Sequence, residues 1–126
     1  MPEQFLIVDD DPDSTFLARR NLLQVFPQAT VEHAQNGPAA LDLLVGRDFT
    51  AVITDYRMPR MDGLTLVRRI RAQGLHMPIV LRTAMEDLEG PARDAGVDFV
   101  LPWFRWRDLG EVVKELIHCP APGSNS

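Results

Sequence analysis

Asp55 closes the apolar run Val52-Ile53-Thr54 and opens a loop, Tyr56-Arg57-Met58-Pro59-Arg60-Met61-Asp62-Gly63, that Pro59 and Gly63 shape tightly. A second apolar run, Phe5-Leu6-Ile7-Val8, ends in Asp9-Asp10-Asp11. Carboxylates delivered to one edge of a sheet repel one another, and a hard divalent cation with oxygen ligands relieves that repulsion. Mg²⁺ suits such a set, because it takes one or two carboxylates and keeps its other positions for water or phosphate oxygens. A carboxylate beside that ion can attack phosphorus to form an acyl phosphate, while the ion spreads the charge on the transferring group. Thr83 follows a third apolar run, Pro78-Ile79-Val80-Leu81, and gains meaning only from that position. Just before it, Arg82 puts a cation where a buried strand should carry an apolar side chain.

These residues meet only if the intervening chain brings the strand ends together. Apolar runs alternate with stretches of helical periodicity, the pattern of βα units around a parallel sheet, and five such units are countable. Phe5 to Val8 reads as a buried strand. Asp11 as cap and Pro12 in the first turn start a helix that runs to about Phe26. Thr30 to Ala34 alternates with polar residues and is expected at an edge. Asn36-Gly37-Pro38 turns into a short helix ending near Gly46, and Phe49 to Thr54 is the central strand. Leu64, Val67 and Ile70 share a helical face, with Arg68, Arg69 and Arg71 largely off it, until Gly74. A helix over 87–95 tolerates Pro91 only in its first turn. Phe99 to Leu101 is the fifth strand, and a last helix runs from about Arg107 to His118. The Pro, Gly and Ser-rich stretch from Cys119 to Ser126 is expected to be a disordered tail or the start of a linker. In an open α/β sheet the ligand site lies beyond the carboxyl ends of the strands. That rule gathers Asp9, Asp10, Asp55 and Thr83.

With 126 residues, 45% of them apolar and 25% charged, the chain fits one globular domain. A net charge of −5 argues against direct binding of nucleic acid, which needs clustered Lys or Arg. No apolar run approaches the ~20 residues of a membrane span, so no membrane partner is expected. Cys119 is the single cysteine, which points to a reducing compartment, and Met1 to Val8 lacks the features of a signal peptide. The cytoplasm is the expected location.

Phe5 through Asp11, Asp55 through Gly63, and Thr83-Ala84 after an apolar strand together resemble the receiver domain of two-component response regulators, over residues 4–118. The resemblance implies a flavodoxin-like sheet in the order 2-1-3-4-5, with Asp55 as phosphoacceptor. It further implies that Asp10, Asp55 and the backbone carbonyl of Arg57 hold Mg²⁺, that Asp9 acts mainly through a bound water, and that Thr83 hydrogen-bonds the phosphoryl group. Its implied partners are a histidine kinase or phosphotransfer protein, a downstream target or output domain, and a second copy of the chain. Such a domain takes phosphate onto its own aspartate and is not expected to be a turnover enzyme.

The departures from the family pattern are specific. Receiver domains usually carry Lys-Pro after the fifth strand. Counting from Gly96, those positions hold Trp103 and Phe104, and Lys114, the only lysine, lies within the last helix. Val100 stands where a switch aromatic is expected, with Phe99 beside it. Losing the lysine removes a charge-assisted contact of ~1.5–3 kcal/mol, so atypical or weakened switching is expected, and the loop after strand five should take another path. Arg82 is the candidate substitute cation, reaching toward the acidic pocket or packing over Trp103. The run Trp103-Phe104-Arg105-Trp106-Arg107 reads as an interaction surface, with one or two of its aromatics in the core. That surface supports an alternative, a phosphorylation-independent pseudo-receiver that acts as a protein interaction module. Asp9-Asp10-Asp11 after a strand also resembles the start of haloacid-dehalogenase-type phosphatases. Chain length and the missing lysine count against that reading. Asp62 is expected to order its loop or cap the third helix, Met58 and Met61 to pack the loop on the core, and His33, His76 and His118 to be solvated or locally hydrogen-bonded.

Overall fold

Strands and helices alternate as β1 (Gln4–Val8), α1 (Pro12–Val25), β2 (Thr30–Ala34), α2 (Gly37–Leu44), β3 (Ala51–Asp55), α3 (Gly63–Ala72), β4 (Ile79–Thr83), α4 (Glu89–Ala95), β5 (Phe99–Pro102), a 3-10 helix (Trp103–Asp108) and α5 (Leu109–His118). This computed structural model describes residues 2–118. The expected tail from Cys119 onward lies outside the described residues. All strand pairings are parallel and the order is β2-β1-β3-β4-β5, a flavodoxin-like sheet with β2 at an edge as its polar alternation required.

Because successive strand residues point to opposite faces, each strand feeds two cores. Phe5, Ile7, Ile53, Val80 and Leu101 pack with Ala18 and Leu22 of α1 and Leu109 and Val113 of α5. Leu6, Val8, Val52, Ile79 and Leu81 pack with residues of α2, α3 and α4, and Met58 and Met61 lie against this second core. The helices start at side-chain caps. Asp11 accepts from the N–H of Asp13 at 3.0 Å, Asn36 from Ala39 at 2.8 Å and Asp62 from Thr65 at 2.8 Å, each worth ~1 kcal/mol. Pro91 is the third residue of α4, inside the first turn, where no hydrogen bond is lost. Among the described residues no helix is long and apolar enough to cross a membrane.

One boundary differs from expectation in a way that bears on function. The last α-helix begins at Leu109, and the residues before it wind into the 3-10 helix, kinked at Arg105 (φ −97°, ψ 26°). Buried Asn21 fixes that junction, donating to the Arg107 carbonyl (2.9 Å) and accepting from the Gly110 N–H (2.7 Å). A Cβ at Gly110 would lie 2.5 Å from Val25 Cγ2, so only glycine lets α5 approach α1 this closely. Arg71, largely off the apolar face of α3, is part-buried. It folds back to the amino ends of β4 and β5, where Asp98 sits 2.9 Å away.

Candidate functional site

Register builds the site. Val8 pairs with Thr54, and Asp55 pairs with Arg82, so Asp9, Asp55 and Arg82 come level across β1, β3 and β4. They continue the columns of Ile7, Ile53 and Val80 and therefore project toward α1 and α5. Asp10 adds a third acid, and ligand oxygens of Asp9, Asp10 and Asp55 lie within 4.8 Å of one another. Thr83 follows Arg82 at the end of β4, with its Oγ1 accepting from the N–H of Met85 at 2.9 Å.

Local backbone geometry holds the acids in place. Asp9 Oδ1 accepts from the Asp11 N–H (2.9 Å), and the His33 ring donates to the Asp9 carbonyl (2.8 Å), which makes this histidine a local support rather than a ligand. Asp55 Oδ1 accepts from the N–H of Tyr56 at 3.1 Å. The loop beyond returns so closely that the Gly63 N–H meets the Tyr56 carbonyl at 2.7 Å. A Cβ at Gly63 would collide with the Asp55 carbonyl oxygen and lie 2.8 Å from Leu81 Cδ1. The Asp-Gly ending of the motif thus combines a helix cap with a forced close approach.

The electrostatics are unbalanced. Asp9 is only 1% exposed and Arg82 7%, and a buried charge requires a partner. Arg82 Nη2 stands 3.5 Å from Asp9 Oδ2 and also donates to Ser14 Oγ. At that separation the pair is ionic but too long for a charge-assisted hydrogen bond of ~2.7–2.9 Å. Asp9 Oδ2 and Arg82 Nε accordingly have no hydrogen-bond partner. Burial, reinforced by the Asp9 charge, pushes the Asp55 carboxyl up to about 6, although Arg82 and the Tyr56 N–H pull the other way. At neutral pH it is still mostly the nucleophilic carboxylate.

A cavity of about 400 Å³ opens onto this row, with Ser14, Asp55, Arg57, Arg82, Thr83, Trp103 and Trp106 on its walls. Arg57 also borders the neighbouring depression reached by Asp10 and Asp62. The donor set is all oxygen, holds three convergent carboxylates and includes a buried carboxylate oxygen without a hydrogen-bond partner, so it fits Mg²⁺.

Of the sequence candidates, Asp9, Asp10, Asp55, Thr83 and Arg82 are brought together, and Arg57 lines the adjoining cavity. Arg82 takes the acidic pocket rather than Trp103. Among the described residues the guanidinium–aromatic stacks are Arg47 on Phe49 and Arg107 on Trp106. The run at 103–107 departs from expectation, because none of its aromatics is buried. Arg107 lies 4.4 Å from the Trp106 ring centroid and Arg105 is paired with Asp108 at 2.8 Å, both arginines being exposed. Trp103 and Trp106 instead form a wall of the cavity. Lys114 is exposed on α5. Ser14 was not legible as a site residue. Its signal would have been its place one turn after the Asp11 cap, on the strand-facing side.

Comparison with known proteins agrees with this geometry. The family model described as the response regulator receiver domain matches residues 5–101. The response regulator MprA of Mycobacterium sp. (strain KMS) is 40% identical over 104 residues, 81% of this chain and 44% of that protein. The chain thus spans less than half the length of the curated relatives it matches. The crystal structure of a CheY-like response regulator receiver domain protein from Methanospirillum hungatei JF-1 is similar with a TM-score of 0.84 at 26% identity, over 94% of this chain and 95% of that one. The response regulator TrrA from Thermotoga maritima, in complex with Mg²⁺-BeF, gives 0.79 at 28% identity, over 90% and 98%.

Proposed function

Because the chain belongs to the response regulator receiver domain family of two-component signalling, we propose that Asp55 accepts a phosphoryl group from a histidine kinase or phosphotransfer protein in a Mg²⁺-dependent step. The observation that carries this reading is the level row of Asp9, Asp55 and Arg82, with Asp10 beside it and Thr83 next in chain. An Asp55 carboxylate oxygen attacks phosphorus, and the phosphorus–nitrogen bond of a phosphohistidine breaks. Its electron pair stays on the imidazole nitrogen, which takes up a proton, and Asp55 becomes an acyl phosphate. Asp9, Asp10, Asp55 and the Arg57 carbonyl would hold Mg²⁺, Asp9 mainly through water, and the ion would neutralise charge on the phosphoryl oxygens. The similar TrrA is in complex with Mg²⁺-BeF, which supports a Mg²⁺ site in this chain. Thr83 contributes its hydroxyl to the phosphoryl group. Arg82 supplies the cation that the missing lysine would have given, from the β4 side.

The domain takes phosphate onto itself and passes the signal to an output domain, a separate target or a second copy, without turning over a substrate. Switching is weak because the cation comes from another direction than in family members with the lysine. One observation favours a second reading, a phosphorylation-independent interaction module: Trp103 and Phe104 are 59% and 64% exposed beside the site, with ring centroids 6.1 Å apart.

Intact-protein mass spectrometry after incubation with acetyl phosphate separates the two. A Mg²⁺-dependent phosphoryl adduct that is absent from Asp55→Asn is expected. A folded, Mg²⁺-binding protein with no adduct would leave the interaction module as the function.

A further inference from the structure

Resting on the reading of Asp9, Asp10 and Asp55 as a metal site, we propose that Arg82 is a tethered rival of the divalent cation for Asp9, and that metal binding releases its guanidinium toward the phosphoryl group. Arg82 continues an apolar column of the sheet, where nothing about strand packing requires a charge. Its side chain is nine-tenths buried. One terminal nitrogen serves both Ser14 and Asp9, while Nε has no partner. Asp9 is equally incomplete. One oxygen is satisfied by the Asp11 N–H, and the other has only the ionic contact with Arg82.

Such an arrangement holds two cations badly. A guanidinium 3.5 Å from Asp9 occupies the charge that a divalent ion would use. When the ion takes that charge, Arg82 loses its reason to stay and is repelled by the newcomer. The 400 Å³ cavity beside it gives the flexible stem room to turn. Asp55 is its neighbour in register, so an oxygen-rich group on Asp55 lies within its sweep. A guanidinium fork matches phosphate oxygens well. Ser14, on the first turn of α1, tethers the resting position and sets how readily it is left.

The chain supplies its own reporter, because its two tryptophans, Trp103 and Trp106, both line the cavity. Mg²⁺ titrations followed by tryptophan fluorescence and calorimetry should show Arg82→Met binding about tenfold tighter than wild type, a gain of about 1.4 kcal/mol. Arg82→Gln, which keeps a donor for Ser14, covers the case in which the methionine variant does not fold. Ser14→Ala should bind Mg²⁺ about twofold tighter. At saturating Mg²⁺, beryllofluoride should bind Arg82→Met about tenfold more weakly than wild type. Equal or weaker Mg²⁺ affinity in a folded neutral variant overturns the rivalry, and unchanged beryllofluoride affinity overturns the release toward phosphate. A wild-type protein that binds no Mg²⁺ overturns the metal site itself, an outcome distinct from both.

Discussion

Two arginine–aspartate pairs sit at opposite ends of the same sheet, and they are built on opposite plans. At the amino ends of β4 and β5, Arg71 spends every nitrogen. Nε and Nη2 donate to the Gly96 carbonyl (3.0 and 2.8 Å), Nη1 to the carbonyls of Leu75 and Met77 (both 2.9 Å), and Nη2 also to Asp98 (2.9 Å). Asp98 in turn accepts from the N–H of Ile79 at 2.8 Å. At the carboxyl ends, Arg82 and Asp9 are more deeply buried yet stand 3.5 Å apart, each with a polar atom unpartnered. The partly exposed pair, which water could have served, is complete. The buried pair, where an unmet group costs most, is not. That contrast is the one that the proposed exchange of Arg82 for a divalent cation at Asp9 requires.

That contrast breaks most readily at the clamp. Arg71→Ala removes five hydrogen bonds and should cost ~3 kcal/mol in urea denaturation, while Mg²⁺ affinity stays at the wild-type value. A large loss of Mg²⁺ binding would show that the two ends are not independent. Gly63→Ala tests the site end through backbone rather than charge. The clash with the Asp55 carbonyl and Leu81 should cost ~2 kcal/mol and slow acetyl phosphate labelling of Asp55, measured by the same mass spectrometry.

The smallest effect concerns pH. Asp55 titrates near 6 in the folded protein against 3.8 when free. Between those values the folded state holds more protons than the unfolded one, so its stability falls as pH rises from below 3.8 through 6, then levels off. Asp55 is half-exposed, and after allowance for solvent screening the decline amounts to ~1 kcal/mol. Denaturation in EDTA should show Asp55→Asn more stable than wild type by that amount at pH 7.5 and equal to it near pH 3.5. A gap that does not change with pH would mean that Asp55 is not strained by burial and its neighbouring acid.

Much of this architecture could be read from residue order. The apolar runs, the Asp11 and Asp62 caps and the Asn36-Gly37-Pro38 turn placed the elements to within a few residues, since burial patterns, caps and turns are local rules. The 3-10 helix escaped because it depends on Asn21, far away in sequence, gripping both Arg107 and Gly110. The Arg71 clamp escaped for the same reason: its partners Gly96 and Asp98 lie a strand and a helix further along the chain.

By itself the sequence determined that the chain forms five βα units and that acids stand at the ends of its first and third strands, because apolar runs and the residues that end them are written in order. It also placed Trp103 where the family pattern has a lysine, with Lys114, the only lysine in this sequence, on the last helix. Only the tertiary structure decided that Arg82 stands level with Asp55 and answers to Asp9 and Ser14, and that Trp103 and Trp106 wall the cavity. Register and helix docking join residues with no neighbourhood in the chain, so no local rule could have paired them.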